Sequence, residues 1–304
     1  MATRSSARFI LLAYAVSWGL FAIARWGLGV QSTLGWTVVS ALFMLGPGIA
    51  ALLHRRWNRL TWRDLGVVRE GIRWKWMGIA VLIAVALPPL TLLFNWLLGD
   101  LLHLAAFGHT ALSKAMVLEV AGEQAAAMGT QSPGKLADLP LNGAAILGIA
   151  LIAGAVAGCT VNFGFAMGEE LGWRGTLFHA LRPMGLWPQV LLTGIVWGLW
   201  HAPLILRGHN YPDHPVAGVF FMCILTTALA VPMAWVRFRS RCVWAAGVLH
   251  GSINGTAGAT MLFTNHTSSL AGGPAGISAV LALLVAIAFL FLLDPGFLRA
   301  FSHP

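Results

Sequence analysis

The chain alternates long apolar runs with short polar connections. The apolar runs cover about Phe9 to Ala24, Trp36 to Leu53, Met77 to Leu98, Ala144 to Met167, Gln189 to Leu206, Val216 to Val236, Cys242 to Leu262 and Ile277 to Leu293. Several reach or approach the roughly 18 uncharged residues that a helix needs to cross hydrocarbon about 30 Å thick. The runs are continuous and lack the ten-residue alternation of a β-barrel, so the pattern predicts helices. The expected fold class is all-α: a polytopic membrane helical bundle with about eight transmembrane helices, forming a single transmembrane domain over residues 1–304. Pro88-Pro89 predicts a kink in the third span. Phe9 to Ala24 also has the form of a signal-peptide core ending at Ala22-Ile23-Ala24. Trp18 and the bulky Phe21 fit an uncleaved first span better.

The polar connections orient the bundle. His54 to Trp76 carries Arg55, Arg56, Arg59, Arg63, Arg69, Arg73 and Lys75. Asp100 to Asn142 is the longest connection. Its middle, Thr110 to Met128, reads as an amphipathic helix, and Gln131-Ser132-Pro133-Gly134 reads as a turn. With the N-terminus inside, 15 of the Lys and Arg residues fall in inner segments and 4 in outer ones. Cytoplasmic segments carry the excess of Lys and Arg, so the N-terminus is expected to be cytoplasmic.

Composition sharpens this picture. Apolar residues make up 58% of the chain and charged residues 10%, against about 25% charged in a soluble domain. The net charge of +9 sits in short connections, so it is topological and implies no nucleic-acid partner. The partner that composition implies is the lipid bilayer. Cys159, Cys223 and Cys242 have no paired spacing and read as small core residues. Arg outnumbers Lys 16 to 3, which hints at a GC-rich bacterial genome and hence at a bacterial cell (inner) membrane. His209, Asp213 and His214 share one loop, where a solvated connection is a simpler reading than a metal site.

The candidate chemistry begins at Gly168-Glu169-Glu170-Leu171-Gly172-Trp173-Arg174. Of the ten acidic residues, only Glu169 and Glu170 lie in or against a hydrophobic segment. An ionisable group at membrane depth costs at least ~2.5 kcal/mol and points to function. The plainer reading is a solvated boundary. His201 lies about 12 residues into the fifth span and His250 about 8 into the seventh, roughly 18 and 12 Å deep at helical rise. Spacing of four puts His250 and Asn254 on one face and stacks Trp197 against His201. Taken singly, each histidine reads as a hydrogen bond to a neighbouring helix, Asn254 as polar glue, and Glu170 with Arg174 as a structural ion pair. Three polar pieces on three spans at matching depth are harder to explain that way. Together they supply a carboxylate, two imidazoles and an amide, a set suited to hydrolysis. A carboxylate and an imidazole take protons from water, and a second imidazole and an amide stabilise an oxyanion.

Glu169-Glu170-x-x-x-Arg174, Trp197-x-x-x-His201 and His250-x-x-x-Asn254, in that order, resemble the three motifs of the CPBP family. These are intramembrane proteases related to the Rce1-type CAAX prenyl endopeptidases and to bacteriocin-processing or immunity (Abi) proteins. The resemblance covers a catalytic core of about 144–262. Trp173-Arg174-Gly175 and Trp197-Gly198-x-Trp200-His201-Ala202-Pro203 are also similar to bacterial members, with weaker support from Trp62-Arg63-Asp64-Leu65-Gly66. Trp197 departs from the Phe of the prenyl-endopeptidase motif but keeps an aromatic ring.

The resemblance implies an intramembrane glutamic endopeptidase. Glu169 would activate water with His201, His250 and Asn254 would form the oxyanion hole, and Glu170, Arg174 and Trp197 would support the site. No cofactor is implied; a zinc reading would take Glu169, His201 and His250 as ligands. A non-catalytic membrane scaffold or immunity protein is an alternative. So is a transporter or proton relay, against which the absence of matching halves counts.

Overall fold

The computed structural model describes residues 2–68, 73–127 and 134–302. Arg69 of the basic connection and Gln131-Ser132-Pro133 of the expected turn lie outside them. Helix α1 (Ala2–Ala22) runs on as a π-helical turn, Ile23–Gly27. Helices α2 (Thr33–Phe43) and α3 (Gly46–Asn58) together form the second span. Ser32 caps α2, its hydroxyl accepting the Gly35 N–H at 3.1 Å, which satisfies a donor the helix cannot. Helix α3 outlasts the expected end at Leu53 and takes in His54, Arg55 and Arg56.

Helix α4 (Trp74–Asn95) does not break at Pro88-Pro89, and Trp74–Leu101 is one 28-residue span. Pro88 has no N–H for the Ala84 carbonyl one turn back. The Thr256 hydroxyl lies 3.3 Å from that carbonyl oxygen and 2.8 Å from the Ser252 carbonyl of its own helix, so its one proton is shared between the two acceptors.

Helix α5 (Lys114–Ala127) occupies the stretch expected to be amphipathic, and α6 (Gly134–Asp138) follows. A strand pair that the all-helical reading missed ties this connection down. Strand β1 (His109–Thr110) pairs antiparallel with β2 (Thr264–Asn265). Two residues per strand are too few to leave a sequence pattern.

The fourth apolar run is not a single straight helix. Helix α7 (Gly143–Cys159) and α8 (Val161–Glu170) meet at 55° around Thr160. The Thr160 hydroxyl donates to the Val156 carbonyl at 2.7 Å, and such side-chain bonding back to the preceding turn bends helices. A π-helical segment, Leu171–Leu177, leads into α9 (Phe178–Leu181). Then come α10 (Leu186–Trp200), α11 (Ala202–Ile205), α12 (Pro215–Ser240), α13 (Val243–Thr256), α14 (Ile277–Leu293) and α15 (Phe297–Ser302).

All eight apolar runs are therefore helical, but fewer reach full span length than expected. Four helical stretches are long and apolar enough alone, Ser5–Gly27, Thr33–Asn58, Trp74–Leu101 and Pro215–Ser240, and the bent pair makes a fifth. Helices α10 and α14 have 15 and 17 residues. The seventh run divides into α13 and a 3-10 turn, Ala257–Leu262. The described chain is still an all-α polytopic bundle. All three thiols are free, but only Cys242 is buried; Cys159 is exposed and Cys223 half-buried, so two of the three are not core residues.

Helix α13 is central, packing on α4, α7, α8 and α12. Glycines permit the closest approaches. A Cβ at Gly255 would collide with the Gly154 carbonyl of α7, and one at Gly154 with that of Gly255. Without a hydrophobic force between helices in lipid, such contact supplies the packing energy. The loop before α4 closes the bundle beneath the π-helical segment. Arg237 donates through Nε to the Arg174 carbonyl at 2.9 Å. Gly66, at φ +73, leaves the space its guanidinium fills. The Val243 N–H donates to the Gly66 carbonyl at 2.9 Å.

Candidate active site

Glu169 and Glu170 are the last two residues of α8, and they are 1% and 0% exposed. The solvated-boundary reading therefore fails for both. Gly168 rests on Met44 and Leu45, and Gly172 on Pro47, so α8 and the turn after it lie directly across the start of α3. The wider π-helical turn begins immediately after Glu170, a feature frequent at functional sites. It places Glu169, Glu170, Trp173 and Arg174 in one buried wall.

The two carboxylates have different partners. Glu169 Oε2 accepts the Trp197 indole N–H at 2.6 Å and the Trp173 indole N–H at 3.3 Å. Glu169 Oε1 takes no hydrogen bond among the described residues. Glu170 Oε1 accepts from Arg174 Nη1 at 3.0 Å and lies 2.8 Å from His250 Nδ1. Glu170 Oε2 and Arg174 Nη2 are buried without a partner. The Arg174 guanidinium stacks 4.2 Å from the centroid of the Trp197 ring, and the His250 ring meets Trp197 edge-on at 5.3 Å.

His201 follows the last residue of α10, with Nδ1 2.8 Å from the Trp197 carbonyl oxygen. A carbonyl only accepts, so Nδ1 carries the proton and Nε2 of the neutral ring is an acceptor. The ring lies against Trp200, centroids 4.7 Å apart. His250 engages Glu170 through Nδ1, which leaves its Nε2 for other chemistry. Asn254 sits one turn beyond His250 on α13, exposed and without a hydrogen bond among the described residues.

The fold thus brings Glu169 to Trp197, and Glu170 to Arg174 and His250. It attaches His201 through the Trp197 backbone and leaves Asn254 at the edge. Trp173 was missed as a site residue. Its signal was the spacing of four from Glu169, the same spacing that pairs Glu170 with Arg174.

Asp213 accepts from the Ser268 hydroxyl and from the N–H and hydroxyl of Ser269, with His214 Nε2 at 3.5 Å. It fastens one loop to another. The ligating atoms of Glu169, His201 and His250, the set of the zinc reading, do not all lie within 4.8 Å of one another. Among the described residues only Glu119, Glu123 and His266, all exposed, meet that spacing.

Residues 142–256 match the family described as Type II CAAX prenyl endopeptidase Rce1-like. The matched stretch is less than half of the chain and contains every motif residue named above. Over 44 residues the chain is 48% identical to CAAX prenyl protease 2 of Methanococcus maripaludis, which is 14% of this chain and 16% of that protein.

Proposed function

We propose that the protein, whose residues 142–256 match the Rce1-like endopeptidase family, is an intramembrane endopeptidase of glutamic type. The observation that carries this reading is the state of Glu169. One oxygen is held by two indole donors and the other is unengaged. A carboxylate kept from bulk water but left one open acceptor is arranged as a general base.

In this scheme the attacking water donates to Glu169 Oε1 and to His201 Nε2, both of which accept. Glu169 takes a proton from it, and the hydroxide forms the new bond to the scissile carbonyl carbon. Negative charge develops on the carbonyl oxygen. His250 meets it as an imidazolium donating from Nε2, with Glu170 holding Nδ1. The Asn254 amide supplies the second donor. The proton on Glu169 then passes to the leaving amine as the C–N bond breaks.

The site needs no metal in this scheme. The substrate is a peptide or membrane-anchored protein cut near the cytoplasmic side of the membrane. That side follows from the excess of Lys and Arg in the segments flanking the motifs, and the bacterial inner membrane follows from the Arg-rich composition.

Mass spectrometry of a peptide library incubated with wild-type and Glu169→Gln protein tests this, with and without a zinc chelator. Chelator-insensitive, site-specific products from wild type alone are the expected result. Products lost on chelation would transfer the chemistry to zinc. No products from either protein would favour the scaffold or immunity reading.

A further inference from the structure

We propose that Trp197 is the positioning residue of this site, fixing Glu169 and His201 relative to one another through opposite ends of a single residue. The inference rests on the endopeptidase reading and adds a role to a residue otherwise seen as packing. The indole N–H of Trp197 donates to Glu169 Oε2 at 2.6 Å. Its backbone carbonyl accepts from His201 Nδ1 at 2.8 Å. The two groups that accept hydrogen bonds from the water are therefore both tied to Trp197, one by the side chain and one by the main chain.

Trp197 is itself immobilised. It is 2% exposed, with its π-face against the Arg174 guanidinium at 4.2 Å and its ring against His250. Gly198 and Gly194 seat α10 directly on α12, where a Cβ would collide with Cys223 or Thr227. Trp173 also reaches Oε2, at 3.3 Å. It belongs to the same helical stretch as Glu169, however, and moves with it. Among the described residues, only Trp197 joins Glu169 by a hydrogen bond to a different helix. A short N–H bond to a carboxylate is among the stronger neutral-donor hydrogen bonds. By occupying Oε2 it directs Oε1 toward the reacting water. A phenyl ring at this position would keep the stacking and lose the donor.

The test is 3-benzothienylalanine at position 197, which replaces the N–H by sulfur and keeps the shape, with Trp197→Phe in parallel. The Glu169 carboxylate stretch is isolated by infrared difference against Glu169→Gln. kcat and KM are measured on a peptide that wild type cuts. The proposal expects the band to shift and kcat to fall about tenfold or more, with KM within about twofold and thermal stability unchanged. An unmoved band would show that the N–H does not hold the carboxylate. A shifted band with unchanged kcat, or a change in KM alone, would equally overturn the positioning role. If wild type cuts no peptide the endopeptidase reading fails, and the band shift still decides whether Trp197 holds Glu169.

Discussion

His250 Nδ1 meets Glu170 Oε1 at 2.8 Å, the same oxygen that Arg174 Nη1 reaches at 3.0 Å. One carboxylate oxygen thus serves a guanidinium and an imidazole while Glu169, its neighbour in sequence, is bonded only to indoles. Adjacent glutamates have become two different instruments, one organising charge and the other left basic. Removing one partner of a buried ion pair strands the other. Glu170→Gln is expected to destabilise the protein by about 3 kcal/mol or more and to lower turnover through a misdirected His250. Denaturant unfolding in detergent measures the first effect. An unchanged stability would mean that Glu170 does not neutralise Arg174.

Glu169→Gln should have the opposite profile. The amide oxygen still accepts from Trp173 and Trp197, so packing and insertion are kept, whereas the base is gone. His201→Ala removes the second acceptor while the Trp197 carbonyl loses only one donor. Both variants are expected to insert and fold normally and to give no cleavage product. Parallel measurement of membrane yield and product formation separates lost chemistry from lost fold, and residual cleavage in Glu169→Gln would remove Glu169 as the base.

Asn254 has no hydrogen-bond partner among the described residues and is exposed. Its replacement therefore has little to break in the resting protein. Asn254→Ala should leave the melting temperature in place and lower turnover by ~10²-fold, the usual consequence of losing an oxyanion donor. Near-normal turnover would leave His250 alone in that role.

Gly255 makes a different demand. A Cβ there would run into the Gly154 carbonyl, which belongs to backbone and cannot swing away. Gly255→Ala should force α7 and α13 apart at a cost of about 1–3 kcal/mol, the range for overpacking. Because α13 carries His250, activity should fall with stability. Equal melting temperatures would show that the two helices can separate freely.

How much of this was legible in the sequence follows from range. Apolar runs locate helices because hydrophobic length is local, and the Glu170–Arg174 pair could be read from a spacing of four. The Thr160 bend was not read from the sequence, because a single threonine inside an apolar run does not interrupt the hydrophobic pattern by which helices are located. The motif spacing brought Trp197 beside His201, but whether its indole faced lipid or Glu169 was a question of how α10 is rotated against α8. Helix rotation is set by packing across the whole bundle, where α10 is seated on α12 by Gly194 and Gly198.

The last test concerns the C-terminal side of the bundle. Arg239 donates twice to Asp294, Nε and Nη2 each at 2.6 Å, and the Trp235 indole donates to it at 2.8 Å. These contacts join the end of α12 to the turn that follows α14. The Arg239 hydrogen bonds hold the Asp294 carboxyl below the usual carboxylate range. A carboxyl whose folded pKa is depressed adds stability above its unfolded value, about 3.9, and loses it as the pH falls through the lower folded value. Asp294→Asn should therefore cost about 1 kcal/mol at pH 7, the scale of a well-formed surface pair. The gap between variant and wild type should close in stronger acid. Thermal unfolding of both proteins from pH 7 down to about 3 measures this. A difference that persists unchanged into acid would mean that packing of the turn, and not the charge on Asp294, holds this end together.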